Sequence, residues 1–525
     1  MTTTEEPPSA SAELEADIRQ LHSLGYAQEL RRRMSGFSNF AVSFTIISIL
    51  SGCLTAYGIA MTNGGPVDMT WGWIFVGLMT LIVGLGMAEV CSAYPTAGGL
   101  YYWSAKLAKR NGPAWSWFTG WFNLLGQVAV TAGIDYGFSL FFNAFLNLTT
   151  GWAATPGHTL LIYAGILILH AGLNIFGVRV VAFLSDVSVW WHILGVVLIV
   201  TVLLAVPAHH ASTSFVFTRL VNETGYHNRF YVFMIGLLLA QYTFTGYDAS
   251  AHMTEETHNA ALAGPKGIVR SIWVSLIAGF VLLVGITYAI TNNYSSALVS
   301  KTGVPPVQIW IDAIGRHGGE WLLVVAMVAQ AYCGMASVTA NSRMIYAFSR
   351  DGAIPGSHFW HHINPRTRTP SRAVYFAVVF AFILAIPSIW SSVAYGAVIS
   401  ISVIGLYIAY VIPTLLRRLA GDSFKPGPWH LGRWSTLVGW VGVAWVGIIT
   451  VLFVLPTASP ITWHDFNYTP VAVGVVLLYA GVFWLVSARK WFKGPRPQGD
   501  ETRLEEIERE LQVIESLEVE LDRTT

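Results

Sequence analysis

Charge is what this chain is short of: only 11% of its 525 residues are Asp, Glu, Lys or Arg, against roughly 25% in soluble domains. A net charge of +1 leaves no basic surplus of the kind that attracts nucleic acid. Cysteine is scarcer still. Cys53, Cys91 and Cys333 lie far apart, in or beside apolar runs, which excludes a disulfide framework and zinc spacing. No HExxH, nucleophile elbow, P-loop or metal cluster occurs, so a membrane-embedded enzyme is disfavoured and no cofactor or metal is expected. The first 36 residues are polar and acidic, then basic, with no apolar h-region. A removable signal peptide is therefore not expected.

Apolar sequence fills the space that charge leaves. It makes up 54% of the chain and recurs in uncharged runs of about 20 residues, each able to cross a ~30 Å hydrocarbon core. Twelve membrane spans are expected, near 39–61, 71–93, 114–147, 158–177, 180–206, 229–256, 270–291, 319–345, 373–389, 392–416, 434–455 and 469–488. The fold class is thus an all-α polytopic membrane protein. With both termini in the cytoplasm, 26 of the 30 Lys and Arg lie inside and only Arg219, Arg229, Lys301 and Arg316 outside. That asymmetry follows the positive-inside rule and supports an even number of spans.

Residues 1–36 form a cytoplasmic amphipathic segment, with Leu14, Ile18, Leu21 and Leu24 at helical spacing ahead of Arg31–Arg33. Such a segment is expected along the inner membrane surface. Residues 37–488 carry the spans: a first repeat at 37–206, a second at 229–416, and two further helices at 434–488. In the tail, 489–525, Leu504, Ile507, Leu511 and Ile514 are three and four apart. That pattern fits either a solvated amphipathic helix or one paired with a partner helix.

Two spans contain a weak point. The sixth runs from "FYVFMIGLLLA" into "QYTFTGYDASAHMTEE" with no linker. From Phe230 to Thr243 it covers ~20 Å, and there meets Gly246, two β-branched threonines around Phe244, and Asp248, which is able to cap a new helix. The first span, counted from Asn39, reaches Ser51–Gly52 at the same depth from the opposite face. A break in lipid strands backbone polar groups and survives only where protein or a wet cavity satisfies them. Two breaks five spans apart match the logic of inverted-repeat transporters, whose sites sit at the midplane between discontinuous helices. Gly52 also fits simple close helix packing, and Asp248 simple capping.

At these residues the sequence resembles the amino acid–polyamine–organocation superfamily, and within it the amino acid/choline transporter branch. The likeness is carried by "LGYAQELRRRMSGFSNFAVSFTIISI", "NGGPVDMTWGW", "MAEVCSAYPTAGGLYYW", "FTGYDASAHMTEET" and "SRMIYAFSRDGAIP". The resemblance implies a LeuT-like 5+5 inverted repeat plus two helices. It implies a substrate site built from the backbone around Ser51, Gly52 and Cys53 and from Tyr242, Thr243, Phe244, Gly246 and Asp248, with Tyr242 as an aromatic lid. Glu89 and "YPTAGG" would shape the inner gate. Gln127 and Thr131, one turn apart on the third helix, are polar at plausible depth, and helix–helix hydrogen bonds would explain them equally.

Ion coupling departs from the resemblance: relatives that are proton-driven or ion-independent often carry a lysine in the fifth helix, where sodium sits in sodium-driven ones, and Val180–Val206 has none. Ser337 and Thr339 of the eighth helix are candidates to hold a cation beside freed carbonyls near Leu50. Asp135, Asp186 and His192 are intramembrane titratable groups and hence proton-relay candidates, although Asp186 lies near the cytoplasmic end, within range of Arg179 or a neighbouring helix. The function expected is secondary transport of a small amine-bearing solute, an amino acid or 4-aminobutyrate-like compound, across the plasma membrane by alternating access. It would be driven by a proton, sodium or neither. The alternative is a choline, ethanolamine or polyamine carrier; choline, lacking a carboxylate, would rely on an aromatic cage, and Tyr57, Tyr242, Phe244 and Tyr247 fit either purpose. A channel would favour a repeated pore loop or charged rings.

Overall fold

The computed structural model describes residues 10–176, 178–290, 294–300, 302–364, 366–390, 393–462 and 466–524. The span ends expected at 177, 291 and 392, and the outside residue Lys301, lie outside the described residues. So do the side chains of Arg179 and Ile514.

Among the described residues, 11 helices are long and apolar enough to cross a membrane. The twelfth expected span, the sixth, is missing from that set because it is in pieces: Arg229–Gly236, Leu238–Thr243 and Ala249–His252. Counting that segment, the described residues hold twelve spans, with the sixth in pieces. The third helix, Gly112–Thr150, runs through the centre against the eighth and tenth, while the eleventh and twelfth lie at the periphery. The eighth, Pro305–Arg350, is longer than expected. Gly315, with φ 81°, turns it into an outer helix followed by the span proper. A two-residue antiparallel pairing of Asn63–Gly64 with Val221–Asn222 ties the outer ends of the first and sixth spans.

The first span is broken too, three residues before the expected point. Helix Gly36–Ile47 ends at Ser48, which takes a left-handed φ of 37°, and Ile49–Thr55 begins a new helix. Such a conformation costs a serine roughly 1–3 kcal/mol and persists only where its surroundings over-determine it. Here the Ser48 hydroxyl meets His192 Nε2 of the fifth helix at 2.6 Å. His192 Nδ1 faces the Ser188 carbonyl at 2.8 Å, so Nδ1 carries the ring proton and Nε2 accepts from Ser48. Gly52 is not the hinge. A Cβ there would stand 2.8 Å from the Thr243 side chain, so glycine is what lets the two broken spans touch.

The end expected to face the cytoplasm is closed by the N-terminal segment and the tail. Asp17, on the helix Ala10–Ser23, accepts the amides of Asn259 and Ala260 at 2.7 and 3.0 Å, capping the seventh helix. Tyr26, Ala27 and Leu30 are buried. The tail, expected to be solvated or paired with a partner, docks instead on this segment. Gln498 accepts the Ala27 amide at 2.8 Å, Glu508 accepts the Gln28 amide at 2.6 Å, and Leu504 is buried.

Candidate functional site

Where the two broken spans meet, a small cavity is lined by Ile46, Ile47, Ser51, Gly52, Val130, Ile134, Tyr242, Thr243, Thr245 and Cys333. Its volume is about 10 Å³, near the minimum that admits one water. Of the residues expected to bind substrate, Ser51, Gly52, Tyr242 and Thr243 line it. Cys53, Gln127, Phe244, Gly246 and Asp248 do not. Phe244 turns away to stack on Trp73, ring centroids 4.4 Å apart. Gly246 supplies the bend, at φ 93°, and lies so close to Ile46 that a Cβ would approach its side chain to 2.2 Å.

Asp248 is the largest departure from expectation. It has helical dihedrals and makes no side-chain cap. Its carboxylate is completely buried and faces the third and tenth helices. Tyr410 donates to Oδ1 at 2.6 Å, and Gln127 donates to Oδ2 at 2.7 Å. His252, one turn on, brings Nε2 to 3.3 Å from Oδ2. The other ring nitrogen, Nδ1, faces the Ala97 carbonyl at 2.9 Å and so carries a proton. Nε2 also lies 3.3 Å from the Asn123 amide. A neutral ring therefore accepts from Asn123, and an imidazolium donates to Asp248. One ring position serves both protonation states.

The tenth helix, overlooked in the sequence, stitches the sixth-span break together. Tyr407 donates to the Phe244 carbonyl at 3.1 Å, and Tyr410 receives the Gly246 amide at 3.2 Å. Two tyrosines three apart in "LYIAYVIP" were the available signal, since helical spacing sets both hydroxyls on one face.

The ion-coupling candidates are spread out. Ser337 bonds the Thr131 hydroxyl at 2.8 Å, and Thr339 donates to Asn174 at 2.6 Å, so both hydroxyls serve the third and fourth helices. Leu50 packs toward Gly195 of the fifth. Asp135, fully buried, meets His170 Nδ1 at 3.1 Å. Asp186 accepts from Ser38 at 3.0 Å. The four cage candidates also diverge: Tyr57 reaches Thr287, Phe244 reaches Trp73, and Tyr247 packs on Tyr410. Tyr242 alone of them lines the cavity.

Beneath the site, charge closes the face against which the N-terminal segment packs. Glu255 accepts the Ala97 amide of "YPTAGG" at 2.9 Å and pairs with Arg350 at 3.2 Å. Glu256 pairs with Arg343 at 2.9 Å, and Glu89 faces Arg417 and Arg418 at 3.6 and 3.4 Å.

Comparison with known proteins agrees with this architecture. The family model described as "Amino acid permease" matches residues 34–478. "Amino-acid permease BAT1" of Arabidopsis thaliana is 46% identical over 498 residues, covering 91% of this chain and 95% of that protein. Its homolog in Oryza sativa subsp. japonica is 44% identical over 514 residues, 94% of this chain and 99% of the relative. The "GABA-specific permease" of Saccharomyces cerevisiae is 30% identical over 489 residues, 91% of this chain and 86% of the relative. With broken first and sixth spans and this match over most of its length, the chain belongs to the amino acid permease family, a family of membrane transporters and not of enzymes.

Proposed function

We propose that the chain is a proton-coupled carrier of a zwitterionic amino acid or 4-aminobutyrate-like compound in the plasma membrane, with both termini in the cytoplasm. The substrate carboxylate would meet the start of the half-helix Ile49–Thr55, where the first amides lack intrahelical acceptors and the dipole is positive. The ammonium would meet the carbonyl end of Leu238–Thr243, under Tyr242. Ser51, Gly52 and Thr243 would form the walls between these two ends. Cys53, Phe244 and Gly246 shape the surrounding backbone. Gln127 holds Asp248, and Asp248 with His252 would carry the coupling proton.

A single observation carries this reading: the Asp248–His252 pair, fully buried, lies within the broken sixth span, just past its bend at Gly246. A proton gained or lost there alters the hydrogen bonds that brace the break, which is the element that must move. The cavity of about 10 Å³ fits a collapsed site that opens when substrate arrives. The divergence of Tyr57, Tyr242, Phe244 and Tyr247 weighs against a quaternary-ammonium cage.

The test is uptake into proteoliposomes holding the purified protein, with an inward proton gradient and labelled amino acids, 4-aminobutyrate or choline supplied outside. Accumulation of an amino acid that a protonophore abolishes is the expected result. Uptake of choline alone, or amino acid uptake driven by sodium and indifferent to the protonophore, overturns the proposal.

A further inference from the structure

At the end of the bundle opposite the N-terminal segment, one buried carboxyl takes no part in the site described above. Asp68 opens the second span, whose first turn, Asp68–Gly72, is π-helical. Such wide turns are frequent at functional sites. The side chain is 2% exposed, and neither carboxyl oxygen has a hydrogen-bond partner among the described residues. Asp135, Asp186 and Asp248 each keep at least one oxygen bonded. Asp68 keeps none.

The carboxyl is nevertheless closely surrounded, and glycines make the room for it. A Cβ on Gly236 of the sixth span would stand 1.7 Å from Oδ2, and one on Gly64 1.8 Å from the same atom. A Cβ on Gly72 would come within 3.1 Å of Oδ1. The Asn63 carbonyl oxygen lies 2.1 Å from that same point beside Gly236. Two acceptor oxygens, one from Asp68 and one from Asn63, therefore converge on one spot. Asn63 and Gly64 also pair with Val221–Asn222, so the carboxyl sits where the first, second and sixth spans are joined.

Neighbouring charge does not account for the convergence. On the adjoining segments Arg219, Glu223, His227 and Arg229 are exposed. The tyrosines there are committed elsewhere. Tyr57 reaches Thr287 at 3.2 Å and Tyr288 reaches Thr213 at 3.2 Å, while Tyr231 donates to the Pro456 carbonyl at 2.5 Å and Tyr294 to the Met61 carbonyl at 2.7 Å. An ionised carboxylate buried with neither donor nor cation is so costly that the group takes up a proton instead. A neutral acid is an O–H donor, and the Asn63 carbonyl is the acceptor at hand.

We propose that Asp68 binds a proton as the neutral acid and donates it to the Asn63 carbonyl, forming a latch that fastens the second span to the joined ends of the first and sixth. When the proton leaves, two acceptor oxygens face each other and this end of the bundle loosens. The closed state holds a proton that the open state releases, so closure weakens as pH rises. The latch is separate from the Asp248–His252 pair and operates whichever ion drives transport.

The experiment compares the purified full chain with Asp68→Asn, both in nanodiscs. The asparagine amide donates to the Asn63 carbonyl as the acid does, and it cannot release that hydrogen with pH. Opening is read from the maleimide labelling rate of Cys333, a buried thiol that lines the cavity between the broken spans. The ratio of wild-type to variant rate at each pH cancels the titration of the thiol itself. That ratio is expected near one in acid and climbs with pH, by up to about tenfold per unit, the most that one proton allows. Melting temperatures should match in acid, with only the wild type losing stability as pH rises. A ratio that stays constant from about pH 5 to about pH 9, the range in which documented buried carboxyls titrate, overturns the latch. So does an Asp68→Asn variant that melts well below wild type in acid, since the amide then fails to replace the acid. If sodium, in place of a bulky organic cation, stabilises the wild type but not the variant, the site holds a metal cation and the proton assignment fails.

Discussion

The Tyr410 hydroxyl donates to Asp248 at 2.6 Å while accepting the Gly246 amide at 3.2 Å, so one side chain of the tenth helix holds both ends of the sixth-span break. Tyr410→Phe removes both bonds and strands a buried amide, a loss of about 1–3 kcal/mol. The variant is expected to insert normally, melt at lower temperature and transport more slowly. A melting temperature equal to wild type would show that the break is braced by something else.

Asp248→Asn addresses the proton rather than the fold. Asparagine still accepts from Tyr410, and its amide is met once the Gln127 amide turns over to present its oxygen. What is lost is the carboxylate facing His252. The variant should exchange substrate across the membrane at near-normal rates but fail to accumulate it against a gradient when a pH difference is imposed. Counterflow and gradient-driven uptake, measured on the same proteoliposomes, separate these outcomes. Full accumulation by the variant rules the pair out as the coupling site and leaves Asp135 with His170 as the next candidate.

Gly52→Ala tests the contact between the two broken spans. A methyl there stands 2.8 Å from Thr243 Cγ2 and Oγ1 and 2.9 Å from its Cα, so backbone as well as side chain must shift. Overpacking of this kind costs typically about 1–3 kcal/mol. Lower thermal stability and slower uptake are expected together. Unchanged values for both would mean that the spans separate at no cost.

Sequence and structure diverge here for identifiable reasons. The sixth-span break was legible because Gly246 is a residue that adopts φ 93° without penalty. The first break was misplaced because its hinge is Ser48, a residue no propensity assigns to a left-handed turn; its support comes from His192, 144 positions away. Asp248 read as a cap because local pattern cannot see Tyr410, 162 positions distant. The tail read as solvated or intermolecular for the same reason, since its partners Ala27 and Gln28 lie at the other terminus.

Tyr242 is the cavity residue best placed to respond to substrate. Its hydroxyl stands where a Cβ on Gly133 would come within 2.8 Å, so the ring bridges from the sixth span to the third across the cavity. Tyr242→Ala removes that bridge and should raise the KM for uptake while leaving expression and insertion intact. Tyr242→Phe keeps the ring and should stay near wild type. If the alanine variant has wild-type kinetics, the ring does not cover the substrate.

The N-terminal segment carries its own acid limit. Burial pushes the Glu29 carboxyl up, but the His361 imidazole 3.8 Å away, the Arg350 guanidinium and the Tyr346 hydroxyl outweigh it and hold the group down to about 2, from an ordinary 4.5. A carboxyl depressed in the folded state contributes stability that is complete above its ordinary pKa and is lost as pH falls toward the folded value. For Glu29 that window runs from 4.5 down to about 2, and the contribution is on the order of 3 kcal/mol. Pepsin, active throughout that range, reports release of the segment by cleavage between Tyr26 and Met34. Wild type should resist cleavage until the pH drops to about 3 or below, as the linkage requires. Glu29→Gln lacks the contribution at every pH and should be cut already at the top of the window. Identical cleavage profiles for the two proteins would mean that Glu29 does not hold the segment in place.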